Sequence, residues 1–275
     1  MPIKLIALDM DGTLLNPEGR LTARTISALK DARAHGAVVT LSSGRMPCAL
    51  RPFVKELGID APLICYNGAL TVDSRTEAPL SSTPLSPEMA REIARACEEM
   101  GLHIQAYRGE AFVCAEHGKF AQDYLDFLKG TGRLEVTGRP LSECLDFETP
   151  KMLAIDAPAR IAELLPELKA RFEGRVRVAT SQPRFIEFVN PAAGKAAALA
   201  RLSELLGIAQ ADTAAFGDGL NDLDMIMWAG TGFVMANGAP AMLEAADVIV
   251  PSNAEDGVAQ TVEGLIRAGR LGKEG

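Results

Sequence analysis

A short apolar segment near the amino terminus ends in two carboxylates and a glycine, and it constrains the possible fold more than any other stretch. Residues 3–8 are apolar except for Lys4, and they have the length of a strand buried on both faces. Asp9, Asp11 and Gly12 come directly afterwards. Because open α/β sheets bind ligands at the carboxyl ends of their strands, this segment predicts a strand that delivers two acids to such an edge. Gly12 allows a tight turn beneath them.

The chain returns three times to this pattern of a short apolar strand followed by small or polar residues. A helix predicted over residues 14–35, which Thr22 can cap, separates the first two strands. The alternation predicts an α/β protein with a Rossmann-like parallel-sheet core. The strand candidates and the residues that follow them are 37–42 with Ser43, Gly44 and Arg45, 62–66 with Asn67 and Gly68, and 214–216 with Gly217, Asp218 and Gly219.

The middle of the chain has a different order of elements. A helix that starts at Ser86 is followed by two strands, and a similar unit of one helix and two strands starts at Pro158. The repetition predicts an α+β domain inserted over residues 84–187. The parallel-sheet core is then assembled from residues 1–83 and 188–275.

Composition indicates a soluble globular protein and narrows its partners. The hydrophobic content of 48% is sufficient for buried cores, and no apolar run reaches the roughly 18 residues of a membrane helix. The formal net charge of -8 disfavours nucleic acid or an anionic membrane as the main partner. Five cysteines without a C-x-x-C pair argue for reduced thiols and against a zinc site. We therefore expect a cytoplasmic protein that acts on a small molecule.

The acids at the strand ends suggest phosphoryl chemistry assisted by a cation. Asp9, Asp11 and Asp218 offer the oxygen ligands that Mg2+ prefers, and a cation would relieve the repulsion between them. Asp9 follows directly from the strand and is the better nucleophile, whereas Asp11 begins the turn and is the candidate acid and base. The Ser43 hydroxyl and the Lys195 ammonium are candidate donors to a transferring phosphoryl group.

The full set of motifs resembles the haloacid dehalogenase superfamily of phosphatases. The position of the insert is similar to that of its type IIB members, the Cof-like sugar-phosphate phosphatases, and the resemblance spans nearly the whole chain. Two positions depart from the usual pattern, since Ser43 replaces a commoner threonine and Leu220 a commoner glutamate. The matching segments are Asp9 to Thr13, Ser43 to Arg45, Asn67-Gly68, Gly194-Lys195, Gly217 to Asp222, Met235 to Ala239 and Glu255 to Ala259.

The resemblance implies a role for each matching residue and a covering role for the insert. Asp9 corresponds to the nucleophile and a metal ligand, Asp11 to the acid and base that also binds metal through its backbone carbonyl, and Asp218 to the residue that completes a Mg2+ site. The insert corresponds to a cap over the site. The remaining implied roles are phosphoryl or substrate binding by Ser43, Gly44, Arg45, Asn67, Lys195 and Asn221, and support of the site by Gly12, Asp222 and Asn221.

Several interpretations stay open from the sequence. Arg45 can face the substrate or pair with a carboxylate. Asn67-Gly68 alone is more typical of a hairpin turn, and a turn beside the site can still offer its amide to the substrate. The predicted function is Mg2+-dependent hydrolysis of a small phosphomonoester through an aspartyl-phosphate. One alternative transfers the phosphoryl group to a second alcohol, as a phosphotransferase or mutase does. The other alternative is a non-catalytic protein that binds a phosphorylated metabolite, which the presence of both Asp9 and Asp11 disfavours.

Overall fold

The structure, a computed structural model, describes residues 2–272 and divides into two compact units. The first unit consists of the chain up to Arg45, Leu50–Ser81 and the chain from Gly194 onward. The second unit consists of Met46–Ala49 and Ser82–Ala193. The assignment of residues 84–187 as a substrate-covering cap stays a prediction. In the described part of the chain, no helix combines the length and apolar character needed to span a bilayer.

The elements follow one another in three blocks along the chain. The first block is β1 (Leu5–Leu8), α1 (Ala23–Ala34), β2 (Val38–Leu41), α2 (Pro47–Leu57), β3 (Leu63–Cys65), β4 (Leu70–Val72) and β5 (Pro79–Ser82). The second is α3 (Pro87–Glu99), β6 (His103–Arg108), β7 (Ala111–Cys114), α4 (Lys119–Leu128), β8 (Arg133–Val136), α5 (Leu141–Cys144), β9 (Met152–Ile155), α6 (Pro158–Arg171), β10 (Arg177–Ala179) and β11 (Phe185–Val189). The third is α7 (Lys195–Leu206), β12 (Thr213–Gly217), α8 (Leu223–Trp228), β13 (Thr231–Met235), α9 (Pro240–Ala245), β14 (Val248–Val250) and α10 (Gly257–Arg267).

The first unit is built on a five-stranded parallel sheet in the order β14-β13-β12-β1-β2. All four residues of β1 are fully buried, as predicted for a central strand of such a sheet. On one face, Leu5 and Ala7 of β1 pack with Leu199 of α7 and Ile226 of α8 in a single apolar cluster. A parallel bridge between Ser42 and Ile64 leads from β2 to a smaller sheet of β3, β4 and β5. The predicted parallel-sheet α/β core is thereby confirmed.

Helix α1 begins later than the sequence predicts. Thr22 is its N-cap, and its hydroxyl accepts a hydrogen bond from the backbone N–H of Thr25. Asn16 turns the preceding chain back on itself, because its side chain accepts from Arg20 and its carbonyl from Gly19. These local hydrogen bonds compete with helix formation, so the prediction of a helix from residue 14 is wrong and its cap is right. Helix α2 occupies a stretch with no predicted element.

The second unit contains a six-stranded sheet in the order β10-β11-β9-β6-β7-β8. Both predicted repeats of one helix and two strands are present, as α3-β6-β7 and α6-β10-β11. One face of the sheet packs against α3 and α6 through Ile104, Ile186 and Phe172. A buried ion pair joins Lys151 to Glu187 with 3.0 Å between Nζ and Oε1. Every charge buried there is compensated within the unit itself.

The stacked rings of Phe216 in β12 and Phe233 in β13 anchor the centre of the parallel sheet. Their centroids lie 4.6 Å apart, and Phe216 is fully buried. We expect Phe216→Ala to lower the free energy of unfolding by about 3–5 kcal/mol, because it removes buried area and leaves a cavity. Urea denaturation measures this change. Leu205→Ala on exposed α7 surface is the control, and an equal loss in both variants would contradict the central position of the ring pair.

Candidate active site

The carboxyl ends of three neighbouring strands bring the predicted acids and the hydroxyl to one edge of the parallel sheet. Leu8 of β1 lies in register with Phe216 of β12 on one side and Leu41 of β2 on the other. Asp9 follows β1, and Asp218 follows β12. Parallel strands end at a common edge, so residues more than 200 positions apart in the chain meet there.

Lys195, the first residue of α7, is the cation at the centre of this edge. Its ammonium donates to Asp9 Oδ1 at 2.5 Å, to Asp222 Oδ1 at 2.5 Å and to the Ser42 carbonyl at 2.7 Å. Burial by itself would lower the pKa of Lys195, but the charges of Asp222 and Asp9 outweigh burial and raise it. A lysine ammonium has three N–H groups, so all three are engaged inside the protein.

Asp9 is held in one orientation by this lysine. Its carboxylate is nearly inaccessible, and Oδ1 accepts the short hydrogen bond from Lys195. Burial and the nearby charges of Asp222 and Asp218 raise the pKa of Asp9, while Lys195 opposes them. In the part of the chain described, the second oxygen of Asp9 has no hydrogen-bond partner. The arrangement therefore presents one fixed and one available carboxylate oxygen.

Asp218 and Asp222 play different parts in the same loop, although oxygens of both lie within 4.8 Å of one another and of an oxygen of Asp9. Asp222 Oδ2 accepts from the backbone N–H groups of Asp218 and Gly219, and Oδ1 accepts from Lys195. Asp218 accepts from the Thr13 hydroxyl at 2.6 Å, and burial is the main cause that raises its pKa to about 6. Asp222 therefore shapes the loop and orients the lysine with its two carboxylate oxygens.

Gly12 makes the close approach of the first loop to Asp218 possible. Its φ of +87° lies in the region that favours glycine, and a Cβ atom there would collide with the Asp218 carboxylate. Thr13, the next residue, donates to that same carboxylate. The supporting position predicted for Gly12 therefore has a steric explanation.

Asp11 does not join the cluster of Asp9, Asp218 and Asp222. Its carboxylate is half-exposed and forms a two-point ion pair with Arg45, with Nε to Oδ2 at 2.9 Å and Nη2 to Oδ1 at 2.6 Å. The Arg45 guanidinium also lies over the ring of Phe53. Of the two interpretations that the sequence left open for Arg45, the structure contains the pairing with a carboxylate.

The Ser43 loop is connected to the hairpin turn at Asn67. Ser43 Oγ accepts from the backbone N–H of Arg45, and the Ser43 carbonyl accepts from the N–H of Asn67. Asn67 adopts a left-handed conformation with φ of +55°, and its side-chain oxygen accepts from Asn221 Nδ2 at 3.1 Å. Gly44 lies directly against this asparagine, since a Cβ there would be 3.1 Å from Asn67 Oδ1. Asn67 is thus both the turn residue and a link between loops.

Residues without a predicted individual role also shape the site. Thr13 binds Asp218, and the Ser42 carbonyl is the third acceptor of Lys195. Asn237 Nδ2 donates to the carbonyl of Gly12 at 2.8 Å. Thr13 and Asn237 lie inside segments that carry the family resemblance. That position was the signal in the sequence that could have indicated their part in the site. Their partners lie on distant loops and could not be identified from local pattern.

Comparison with known proteins identifies the family. The sequence model of haloacid dehalogenase-like hydrolases matches residues 6–262. The chain belongs to this family. This hydrolase is similar to a Bacillus subtilis 5-amino-6-(5-phospho-D-ribitylamino)uracil phosphatase, with 31% identity over 263 residues, covering 94% of each chain. The predicted membership is therefore confirmed.

Solved structures of the family share the fold of this hydrolase. A haloacid dehalogenase-like hydrolase from Bacteroides thetaiotaomicron superimposes with a TM-score of 0.84 and 29% identity, covering 96% of this chain and 99% of the other. A sugar phosphatase of subclass IIB superimposes with a TM-score of 0.80 and 23% identity, covering 98% of this chain and all of the other. This likeness shows a shared fold.

The raised pKa of Asp218 predicts a specific dependence of stability on pH when divalent cations are removed. Between the ordinary value of 3.8 and about 6, the folded state binds the proton more tightly than the unfolded chain. The stabilisation of the folded state by proton binding at Asp218 is complete below pH 3.8 and is lost as the pH rises through 6. We expect Asp218→Asn in a chelating buffer to raise the free energy of unfolding at pH 8 by about 1–3 kcal/mol, with the gain vanishing near pH 4.

Chemical denaturation at several pH values measures this effect. Asp31→Asn, which removes one exposed carboxylate from α1, is the matched control and should show no such pH-dependent gain. A constant difference between Asp218→Asn and the unaltered protein from pH 4 to pH 8 would contradict the role of charge burial at Asp218.

Proposed function

We propose that this hydrolase is a Mg2+-dependent phosphatase that removes the phosphoryl group from a small phosphomonoester through an aspartyl-phosphate on Asp9. The observation that carries the proposal is the orientation of Asp9, with Oδ1 tied to Lys195 and Oδ2 available at the edge of the sheet. A carboxylate held in this way can attack phosphorus in line with the leaving group. The similarity to a phosphatase for a phosphorylated ribityl compound supports a sugar or polyol phosphate as substrate.

The donor set fits a hard divalent cation. Asp9 and Asp218 supply carboxylate oxygens, and the pKa of each is raised mainly by burial and further by the neighbouring carboxylates, which is the situation a cation would relieve. By the family resemblance, Asp11 would add its backbone carbonyl. Bound by these residues, Mg2+ would neutralise the acids and the charge of the incoming phosphate.

The remaining side chains orient and stabilise the phosphoryl group in this proposal. The Ser43 oxygen accepts from Arg45 N–H, so its own O–H is directed elsewhere and can donate to a phosphoryl oxygen. Lys195 acts through its charge and by holding Asp9, because its three N–H groups already have partners. Gly44 and Asn67 shape the loop behind Ser43. Asn221 joins Asn67 to the loop that carries Asp218.

Asp11 is the proposed acid and base. In the first step, Asp9 forms a bond to phosphorus, the ester bond breaks, and the departing alcohol oxygen takes a proton from Asp11. In the second step, water loses a proton to Asp11 and attacks phosphorus, which releases phosphate and Asp9. Both Asp11 oxygens accept from Arg45, so in this proposal the ion pair opens to let Asp11 reach the leaving group and the water.

Loss of the nucleophile tests the central assignment. Asp9→Asn should lower Mg2+-dependent phosphate release from a panel of phosphomonoesters by at least about 1,000-fold, since an amide cannot form the intermediate. Phosphate release is measured with and without Mg2+, and circular dichroism checks the fold. Activity close to that of the unaltered protein would contradict Asp9 as nucleophile. Faster consumption of the substrate with less free phosphate when an alcohol acceptor is added would instead favour phosphoryl transfer.

The role of Asp11 is tested by comparing two leaving groups. A nitrophenolate is stable enough to depart without being protonated. An alkoxide needs a proton from an acid as it departs. Asp11→Asn should therefore lower the single-turnover rate at which an alkyl phosphate phosphorylates Asp9 by about 100-fold or more. The rate with p-nitrophenyl phosphate should fall much less. Quenched-flow measurement of alcohol release gives both rates. Equal losses for the two substrates would exclude proton donation by Asp11.

A further inference from the structure

Two asparagines on carboxy-terminal loops hold the turn that follows Asp11. Asn237, after β13, donates from Nδ2 to the Gly12 carbonyl at 2.8 Å. Asn253, after β14, donates from Nδ2 to the Leu15 carbonyl at 2.7 Å. The two are also joined, because the backbone N–H of Asn253 donates to Asn237 Oδ1 at 3.0 Å. We call Asn237 and Asn253 the asparagine clamp.

The clamp is connected to Asp218 as well. The N–H of Ala239, two residues after Asn237, donates to the Asp218 carbonyl at 3.0 Å. Thr13, between the two clamped carbonyls, donates to the Asp218 side chain. The loop of Asp11 and the loop of Asp218 are thus tied together through the turn after β13. Besides the direct hydrogen bond from Thr13 to Asp218, these two loops are connected through hydrogen bonds to the turn after β13.

The Asn237 side chain makes two hydrogen bonds of opposite direction. Nδ2 donates to one backbone group while Oδ1 accepts from another. Aspartate would keep the acceptor for Asn253 but lose the donor to Gly12. Alanine would lose both. Both amide groups of Asn237 thus bind backbone at the carboxyl edge of the sheet.

We propose that the asparagine clamp is a positioning device that sets the divalent-cation affinity of the site by fixing the Gly12–Leu15 turn against Asp218. The proposal rests on the cation site of the proposed function. Its physical reason is preorganisation, since a turn that is already in place loses less conformational freedom when the cation binds. Asn237 is exposed, so its loss should affect this local order far more than the stability of the sheet.

Titration of the melting temperature with MgCl2 alone tests the clamp without substrate or turnover. A cation at free concentration c that binds only the folded state stabilises it by RT ln(1 + c/Kd), so the Mg2+ concentration at which the melting temperature begins to rise reports the affinity. Asn237→Ala and Asn237→Asp should each shift the Mg2+ dependence to about three- to tenfold higher concentration, consistent with the loss of one or two hydrogen bonds. The melting temperature in chelator should change little. Asn253→Ala should act in the same direction, and its combination with Asn237→Ala should give less than the product of the two shifts.

Two controls separate the possible outcomes. Gln260→Ala removes another surface hydrogen bond from an amide to a backbone carbonyl and should leave the titration unchanged. Asp218→Asn should abolish the Mg2+-dependent rise. If the unaltered protein responds to Mg2+ and Asp218→Asn does not, identical titrations for Asn237→Ala and the unaltered protein would overturn the clamp alone. If the unaltered protein shows no response, the cation site of the proposed function is contradicted, and the clamp loses its role with it.

Discussion

The buried ammonium of Lys195 is the interaction on which the arrangement of the site depends. It binds two carboxylates and a carbonyl from the loops that follow β1, β2 and β12. Removing one member of such a group leaves a buried charge uncompensated, which typically costs about 3–5 kcal/mol. Helix α7 begins at this edge with Lys195, whose charge and three N–H groups are all engaged. The lysine therefore stabilises the carboxylates that meet at the edge of the sheet.

The carboxylates around Lys195 are of two kinds, some buried and fixed and one exposed. Asp9 and Asp222 are fixed by Lys195, whereas Asp11 is half-exposed and bound to Arg45. A nucleophile gains from rigidity, because attack requires alignment with the leaving group. An acid that must release and recover a proton needs contact with solvent or substrate. In the proposed mechanism, with Asp9 as nucleophile and Asp11 as acid and base, the buried and exposed carboxylates match these two requirements.

Hydrogen bonds between loops supply the order that the strands themselves do not. The left-handed turn at Asn67 links the Ser43 loop to Asn221, and the asparagine clamp links the turn after Asp11 to the loops after β13 and β14. The carboxyl edge of the sheet is consequently one connected network, in which a change in one loop reaches the others.

The sequence by itself determined the alternation of strands and helices and the acids that follow β1 and β12. These features are local, because strand and helix periodicity and turn residues can be read within a few positions. Only the tertiary structure decided that Arg45 pairs with Asp11, that Lys195 uses all its donors within the protein, and that Asn237 binds Gly12. Asn237 and Gly12 are 225 positions apart, and Lys195 and Asp9 are 186 apart. Such pairs depend on where the folded sheet places each loop, which no local pattern encodes.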